Sequence, residues 1–248
     1  MFLSMNYPKI FNVFFKKDME NYRRFMKNDI FNYSHSYPYR KVRIENGERL
    51  EENKEGAVLA FLHFGSFFLS GIALIKLLGL KYTAIASSVN LQYLTDEEKS
   101  YWKSVYEKIN GLYSRDLFFT SENPRKFVQW LNKDNYLGVA LDVIEKGRLN
   151  KVALFNFLGE DVFFQTSPAR LAKLTNKPLV GMTIRYSPIL QSHTLFIGKP
   201  HKVINEKSSI QEILFEMEEI VNKHRYQFFH DIHNTFQNID FKDVRIST

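Results

Sequence analysis

Residues 57–80 read Ala57-Val-Leu-Ala-Phe-Leu62-His63-Phe-Gly65-Ser66-Phe-Phe-Leu-Ser-Gly-Ile-Ala-Leu-Ile-Lys76-Leu-Leu78-Gly-Leu80. The run is long enough to cross a bilayer and is interrupted only by His63, two serines and Lys76. A histidine followed closely by glycine in mid-span is expensive in hydrocarbon, so the run is read as two buried elements. Ala57 to Leu62 is a strand, Phe64-Gly65-Ser66 a turn, and Phe67 to Leu78 a helix.

Working outward, strand and helix alternate. Upstream, Lys17 to Phe31 has helical patterning, and Tyr39 to Glu51 reads as a hairpin turning at Asn46-Gly47. Downstream, a strand is expected at Tyr82 to Ala86. A helix then runs from Thr95, with Glu98 completing a capping box, to about Ile109. A short strand near Leu117 to Phe119, a helix from Pro124 to Lys133 and a strand from Tyr136 to Leu141 follow. Val152 to Phe164 reads as a second hairpin turning around Gly159-Glu160, and Ser167-Pro168 opens a short helix through Leu174. Strands at Pro178 to Arg185 and Thr194 to Gly198 precede a long final helix from Ser208 to about Phe229. The alternation predicts a single α/β domain with a mostly parallel central sheet and helices on both faces.

The 248 residues, 44% of them apolar, suffice for one substantial core, and no linker, low-complexity tract or repeat divides them. There is no cysteine, which excludes disulfides, a thiol nucleophile and Cys-bound zinc. A net charge of +7 suggests an anionic partner: lipid headgroups, nucleic acid, or a phosphorylated carrier. Lys and Arg are scattered without a nucleic-acid-binding motif, so that class ranks low. The histidines are dispersed, and His230 and His233 lack an obvious third ligand, so no metal is expected. No convincing signal peptide opens the chain.

In open parallel sheets ligands bind beyond the carboxyl ends of the strands. His63 follows the run Ala57 to Leu62, and Asp142 follows Tyr136 to Leu141. If those strands are parallel, both side chains emerge at one edge, where a carboxylate could orient a histidine acting as a base. Each residue also has a structural use, the histidine as a core residue bound to a backbone carbonyl and the aspartate as a turn cap. Gly65 permits a sharp turn, and the next helix aims its N-terminus at the same crevice.

Several segments together resemble a known family. His63-Phe-Gly65-Ser66-Phe-Phe68-Leu69 is similar to the H-x4-D/E segment of the lysophospholipid acyltransferase superfamily, in the H-F-G-N-W-E/D-L form of the bacterial lipid A biosynthesis acyltransferases. Leu141 to Gly147 resembles their D-Q-x-x-G segment, Phe155 to Gly159 their P-F-F-G, and Thr166 to Ala172 their T-G-P-A-R-L-A, with Pro178-Leu179-Val180 as the strand that follows. The agreement in order and spacing covers roughly Gly56 to Arg185, and Arg225 to Phe236 is loosely similar to the family's ending. The resemblance implies transfer of an acyl chain from an acyl carrier protein or coenzyme A thioester to a hydroxyl or amine, without a cofactor. His63 would take the acceptor proton.

One position departs from the pattern: the family's acid five residues after the histidine is Phe68 here. Asp142 is the expected replacement, with Glu145 second. The opposing reading is a degenerate member that binds lipid or carrier without turnover, since loss of an orienting carboxylate costs orders of magnitude in rate. Arg170 would suit a phosphate on acceptor or donor, or else form an ion pair with Asp142 or Glu145. Ser66 could donate to substrate or cap its helix.

Phe61, Phe64, Phe67, Phe68, Phe118, Phe119, Phe155, Phe157, Phe163 and Phe164 crowd the region and could line an acyl channel. Phe11, Phe14 and Phe15, followed by Lys16, Lys17, Arg23 and Arg24, could lie on a lipid surface. The family is usually longer at its N-terminus and often anchored there by a helix, so the expectation is an enzyme of the bacterial cytoplasm, peripheral at the inner face of the cell membrane. Acylation of an amine on a specialised metabolite or peptide is the alternative acceptor chemistry.

Overall fold

The computed structural model describes residues 41–88, 95–144, 151–187, 190 and 192–228. A seven-stranded sheet runs through the molecule. Its strands are β1 (Val42–Glu45), β2 (Ala57–Phe61), β3 (Tyr82–Ala86), β4 (Phe118–Phe119), β5 (Tyr136–Ala140), β8 (Leu179–Ser187) and β9 (Ser192–Ile197), in spatial order β1-β9-β8-β2-β5-β3-β4. Every pairing in it is parallel except β8 with β9. A separate antiparallel hairpin, β6 (Val152–Phe157) and β7 (Glu160–Gln165), turns through Leu158 and Gly159, one residue earlier than the expected turn at Gly159-Glu160.

The helices are α1 (Glu48–Glu51), α2 (Phe67–Leu78), α3 (Asp96–Asn110), α4 (Arg125–Leu131), α5 (Ser167–Thr175) and α6 (Glu206–Lys223). Along β2 the two-residue strand period divides a fully buried run between two cores. Leu59 and Phe61 join α2 and α3 on one face, while Val58 and Ala60 join α4, α5 and α6 on the other. A strand apolar on both faces is what a parallel sheet sandwiched by helices requires. The run Ala57 to Leu78 is thus a strand and a helix as read. Among the described residues no helix is long and apolar enough to cross a membrane.

The first strand and both ends of the last helix differ from the sequence reading. Val42–Glu45 is not half of a hairpin: it pairs parallel to β9, and Asn46-Gly47 turns the chain into α1. Asn46 has the left-handed φ of 61° that such turns favour, but Gly47 is right-handed at −59°, whereas a two-residue I′ turn needs both residues left-handed. The last helix starts two residues before Ser208, because the Asn205 side chain accepts the Ser208 N–H at 3.0 Å. It also ends early, at Lys223, and a 3-10 turn, Arg225–Gln227, follows. The expected helix from Lys17 to Phe31 and the basic-aromatic N-terminal segment lie outside the described residues.

Candidate active site

β2 and β5 are neighbours in register, with Phe61 opposite Ala140, so the residues two beyond that pair, His63 and Asp142, leave the same edge side by side. The Leu141 N–H donates to the Phe61 carbonyl at 2.8 Å and carries the alignment past the last ladder pair. His63 Nδ1 lies 2.8 Å from Asp142 Oδ1, and the His63 backbone N–H donates to Oδ2, also at 2.8 Å. One buried carboxylate therefore fixes both the ring and the main chain of the histidine. Both residues are buried, with His63 retaining 9% exposure. Nδ1–H donated to the carboxylate leaves the Nε2 lone pair available, the tautomer a general base needs.

The turn that holds His63 is braced from three sides. Gly65 has φ +57°, and a Cβ there would sit 1.9 Å from the Ile184 carbonyl oxygen, so β8 passes against the glycine backbone. The Gly65 N–H donates to the Gln227 carbonyl at 2.9 Å. Where β2 turns away from β8, the fully buried Gln227 side chain takes its place, accepting the Tyr186 N–H at 2.8 Å and donating to the Tyr186 carbonyl at 2.7 Å. Phe64 pairs with Phe228 through an isolated antiparallel bridge, their rings edge-to-face at 5.3 Å. Burial of Phe64 alone stabilises this junction by about 1.5–3 kcal/mol.

Ser66 stands at the N-cap of α2, yet its side chain makes no cap hydrogen bond. Its Oγ is instead 3.0 Å from Nε2 of His193 on β9. Sequence reasoning missed His193 and Gln227. The one signal for the first was a lone histidine in the alternating strand Ser192 to Ile197, and the second has none. Burial pushes His193 down to about 4 from its ordinary 6.5. Because the folded pKa is depressed, the unfolded chain binds the extra proton between about pH 6.5 and pH 4, so stability falls as pH drops through that window and levels off below it. A shift of that size corresponds to about 3 kcal/mol. Urea unfolding followed from neutral pH down to about 4 is expected to show this loss, and His193→Gln to show a flatter slope. Equal slopes in both proteins would assign the acid sensitivity elsewhere.

Phe68, at the position of the family acid, turns into the core: its ring lies 4.3 Å from that of Phe67 and 6.4 Å from that of Trp102. Trp102, Tyr106 and Phe119 continue an aromatic row along the carboxyl edge of the sheet, and at its other end Phe67 meets the His63 ring edge-on at 4.5 Å. Phe61 belongs to this face. Phe64, Phe118, Phe155, Phe157 and Phe164 belong to the opposite core, so the crowded phenylalanines split between two faces. Arg170 is exposed on α5 and makes no ion pair with Asp142, whose two oxygens are engaged by His63. Glu145 lies outside the described residues, as do His230 and His233.

A family model described as bacterial lipid A biosynthesis acyltransferase matches residues 16–236. The chain belongs to that family. It is accordingly an enzyme of the acyltransferase class, in a family that serves lipid biosynthesis and whose substrates are lipids and acyl donors. A search of curated individual proteins gave no significant match. The position of the acid in the family's pattern is Phe68 in this chain, and the carboxylate that meets His63 is Asp142, two residues beyond the end of β5.

Proposed function

We propose that this acyltransferase moves a fatty acyl chain from an acyl carrier protein or coenzyme A thioester to a hydroxyl or amine of a lipid or small-molecule acceptor, with His63 as general base and Asp142 as its orienting carboxylate. The observation that carries the proposal is the 2.8 Å contact from His63 Nδ1 to Asp142. The Nε2 lone pair removes the acceptor proton as its oxygen or nitrogen attacks the thioester carbonyl. Negative charge on the carbonyl oxygen develops near the N-terminus of α2, where the helix dipole favours it. Collapse breaks the carbon–sulfur bond, and the thiolate takes up the proton held by the imidazolium. No covalent acyl-enzyme forms, in keeping with the absence of cysteine.

The row from Phe67 through Phe68 to Trp102 supports an apolar path for the acyl chain next to the base. Gly65 and Ser66 shape that path's entrance. Exposed Arg170 lies in the first turn of α5, which begins beside the Asp142 strand because the Gln165 N–H donates to the Leu141 carbonyl at 2.8 Å. It is suited to a donor or acceptor phosphate. We place the enzyme in the cytoplasm, peripheral at the inner face of the membrane. The alternative is a member that binds lipid or carrier without turnover, to which the absence of an acid at Phe68 points; the contact between Asp142 and His63 supports the catalytic reading instead.

Purified protein incubated with acyl-coenzyme A and acyl-carrier thioesters, plus lipid and amine acceptors, is expected to release thiol and yield an acylated product of matching mass. His63→Ala should lower the rate by roughly 10²–10⁴-fold. Transfer indifferent to His63 would sink the mechanism, and tight lipid or carrier binding with no transfer would establish the non-catalytic member.

A further inference from the structure

The corner where β8 leaves the sheet and α6 ends gathers positive charge that the acyl-transfer chemistry does not use. α6 begins after Asn205, close to the amino end of β8, where Leu179 bridges His201, and runs to Lys223 at the opposite edge. The chain then turns back, and the two Gln227 bonds to Tyr186 hold the segment after α6 against the end of β8, with His224 close enough to feel the charges of both Arg185 and Lys223. The crowding is felt electrostatically: burial first, then the charges of Arg185 and Lys223, hold His224 below its ordinary range. Residues 183–187 and 220–228 contain no Asp or Glu. Arg225 Nε donates to the neutral Asn222 side chain at 2.8 Å, and Lys223 has a carboxylate, Glu219, one turn back on the exposed face.

Beyond Ser187 the connection to β9 carries Leu190, 75% exposed, its N–H reaching the Ser187 hydroxyl at 3.3 Å. β8 is parallel to β2, so Ser187 at its end, and Leu190 bonded to it, lie at the same edge of the sheet as His63. A lone exposed leucine is ordinary. Set beside a cationic cluster with little acidic compensation, at the edge where an acyl acceptor must enter, it fits a surface that lowers one apolar side chain among headgroups while cations meet lipid phosphates. We propose that this corner, with Arg185, Lys223 and Arg225 as its cations and Leu190 at its tip, docks the enzyme on an anionic lipid bilayer. The inference rests on the membrane-peripheral reading above and names the surface that serves it. The bonds from Gln227 to Tyr186 and Gly65 tie that surface to the turn carrying His63, so docking orients the site toward the lipid.

The test is flotation of the full chain, without substrate, on vesicles of phosphatidylcholine alone and of phosphatidylcholine with phosphatidylglycerol. The wild type is expected to float with the anionic vesicles only and to be released by high salt. Arg185→Gln with Arg225→Gln should weaken partitioning roughly 25-fold, about fivefold per charge. Leu190→Ser should weaken it about tenfold. Both variants should keep wild-type unfolding midpoints, since Leu190 is exposed and Arg185 and Arg225 are only half-buried and make no ion pair among the described residues. A wild type that does not float overturns the proposal. So does wild-type flotation by either variant, the result expected if the segment with Lys16, Lys17, Arg23 and Arg24 alone made the contact. Because binding is read without turnover, a protein that docks but transfers nothing upholds this inference while sinking the proposed activity, and one that transfers acyl groups but never floats does the reverse.

Discussion

Asp142→Asn is expected to lower kcat by about 10³–10⁴-fold while leaving KM and thermal stability close to wild type. The carboxylate accepts two hydrogen bonds from one residue, the His63 main chain at Oδ2 and the ring at Oδ1. An asparagine is the same size and can keep its oxygen toward the backbone N–H, so the turn stays in place. Its NH2 then faces Nδ1, which must accept, and the imidazole proton moves to Nε2. The ring would sit in the right position with the wrong nitrogen protonated, and no lone pair would point at the acceptor. Raising the pH would not restore the rate, because the tautomer and not the ionisation is at fault. Initial rates of thiol release against acceptor concentration separate kcat from KM, and a variant within tenfold of wild type would show that Asp142 does not orient the base. Asp142→Ala makes a useful contrast, since it also orphans the buried His63 N–H and should lose stability as well as rate.

What the sequence disclosed and what it hid follow from the range of the forces involved. β2, α2 and β5 were legible because their patterns are local: a short run apolar on both faces, a sharp turn at glycine, then a longer apolar helix. That legibility extended to the site, because parallel neighbours in a sheet deliver their first polar residues to one edge, and His63 and Asp142 are those residues. β1 was misread for the opposite reason. Val42-Arg-Ile-Glu45 alternates like any hairpin strand, and Asn46-Gly47 gives the strongest short-range hairpin signal. Its true partner, β9, lies some 150 positions away, as the bond from the Asn46 side chain to the Ile197 carbonyl records. Ser66 reads as a cap by type, but a buried hydroxyl goes to the strongest partner in reach, and His193 is supplied by a distant strand. Gln227 replaces a strand at the point where β2 departs, a role that exists only once the sheet is built.

Gly65→Ala should be severely damaging for a single added methyl group, and Gly79→Ala is its control. Both glycines hold left-handed backbone, φ +57° at Gly65 and +66° at Gly79, so each alanine carries the same conformational penalty of about 1–2 kcal/mol. They differ in space. No atom lies within 4 Å of a Cβ built at Gly79, the C-cap of α2, whereas one at Gly65 would overlap the Ile184 carbonyl oxygen at 1.9 Å. That oxygen belongs to the backbone of β8, which is pinned by β9 on one side and by Gln227 on the other, so it has nowhere to retreat. The turn must move instead, breaking the bond from the Gly65 N–H to Gln227 and drawing His63 off Asp142. Urea unfolding should place Gly79→Ala about 1–2 kcal/mol below wild type with activity retained. Gly65→Ala should either fail to fold or lose about 4 kcal/mol or more, the range reserved for strain and lost buried hydrogen bonds together, and any folded fraction should be inactive. Equal destabilisation by the two alanines would mean that β8 yields, and that the tight approach at Gly65 is not what holds His63 in place.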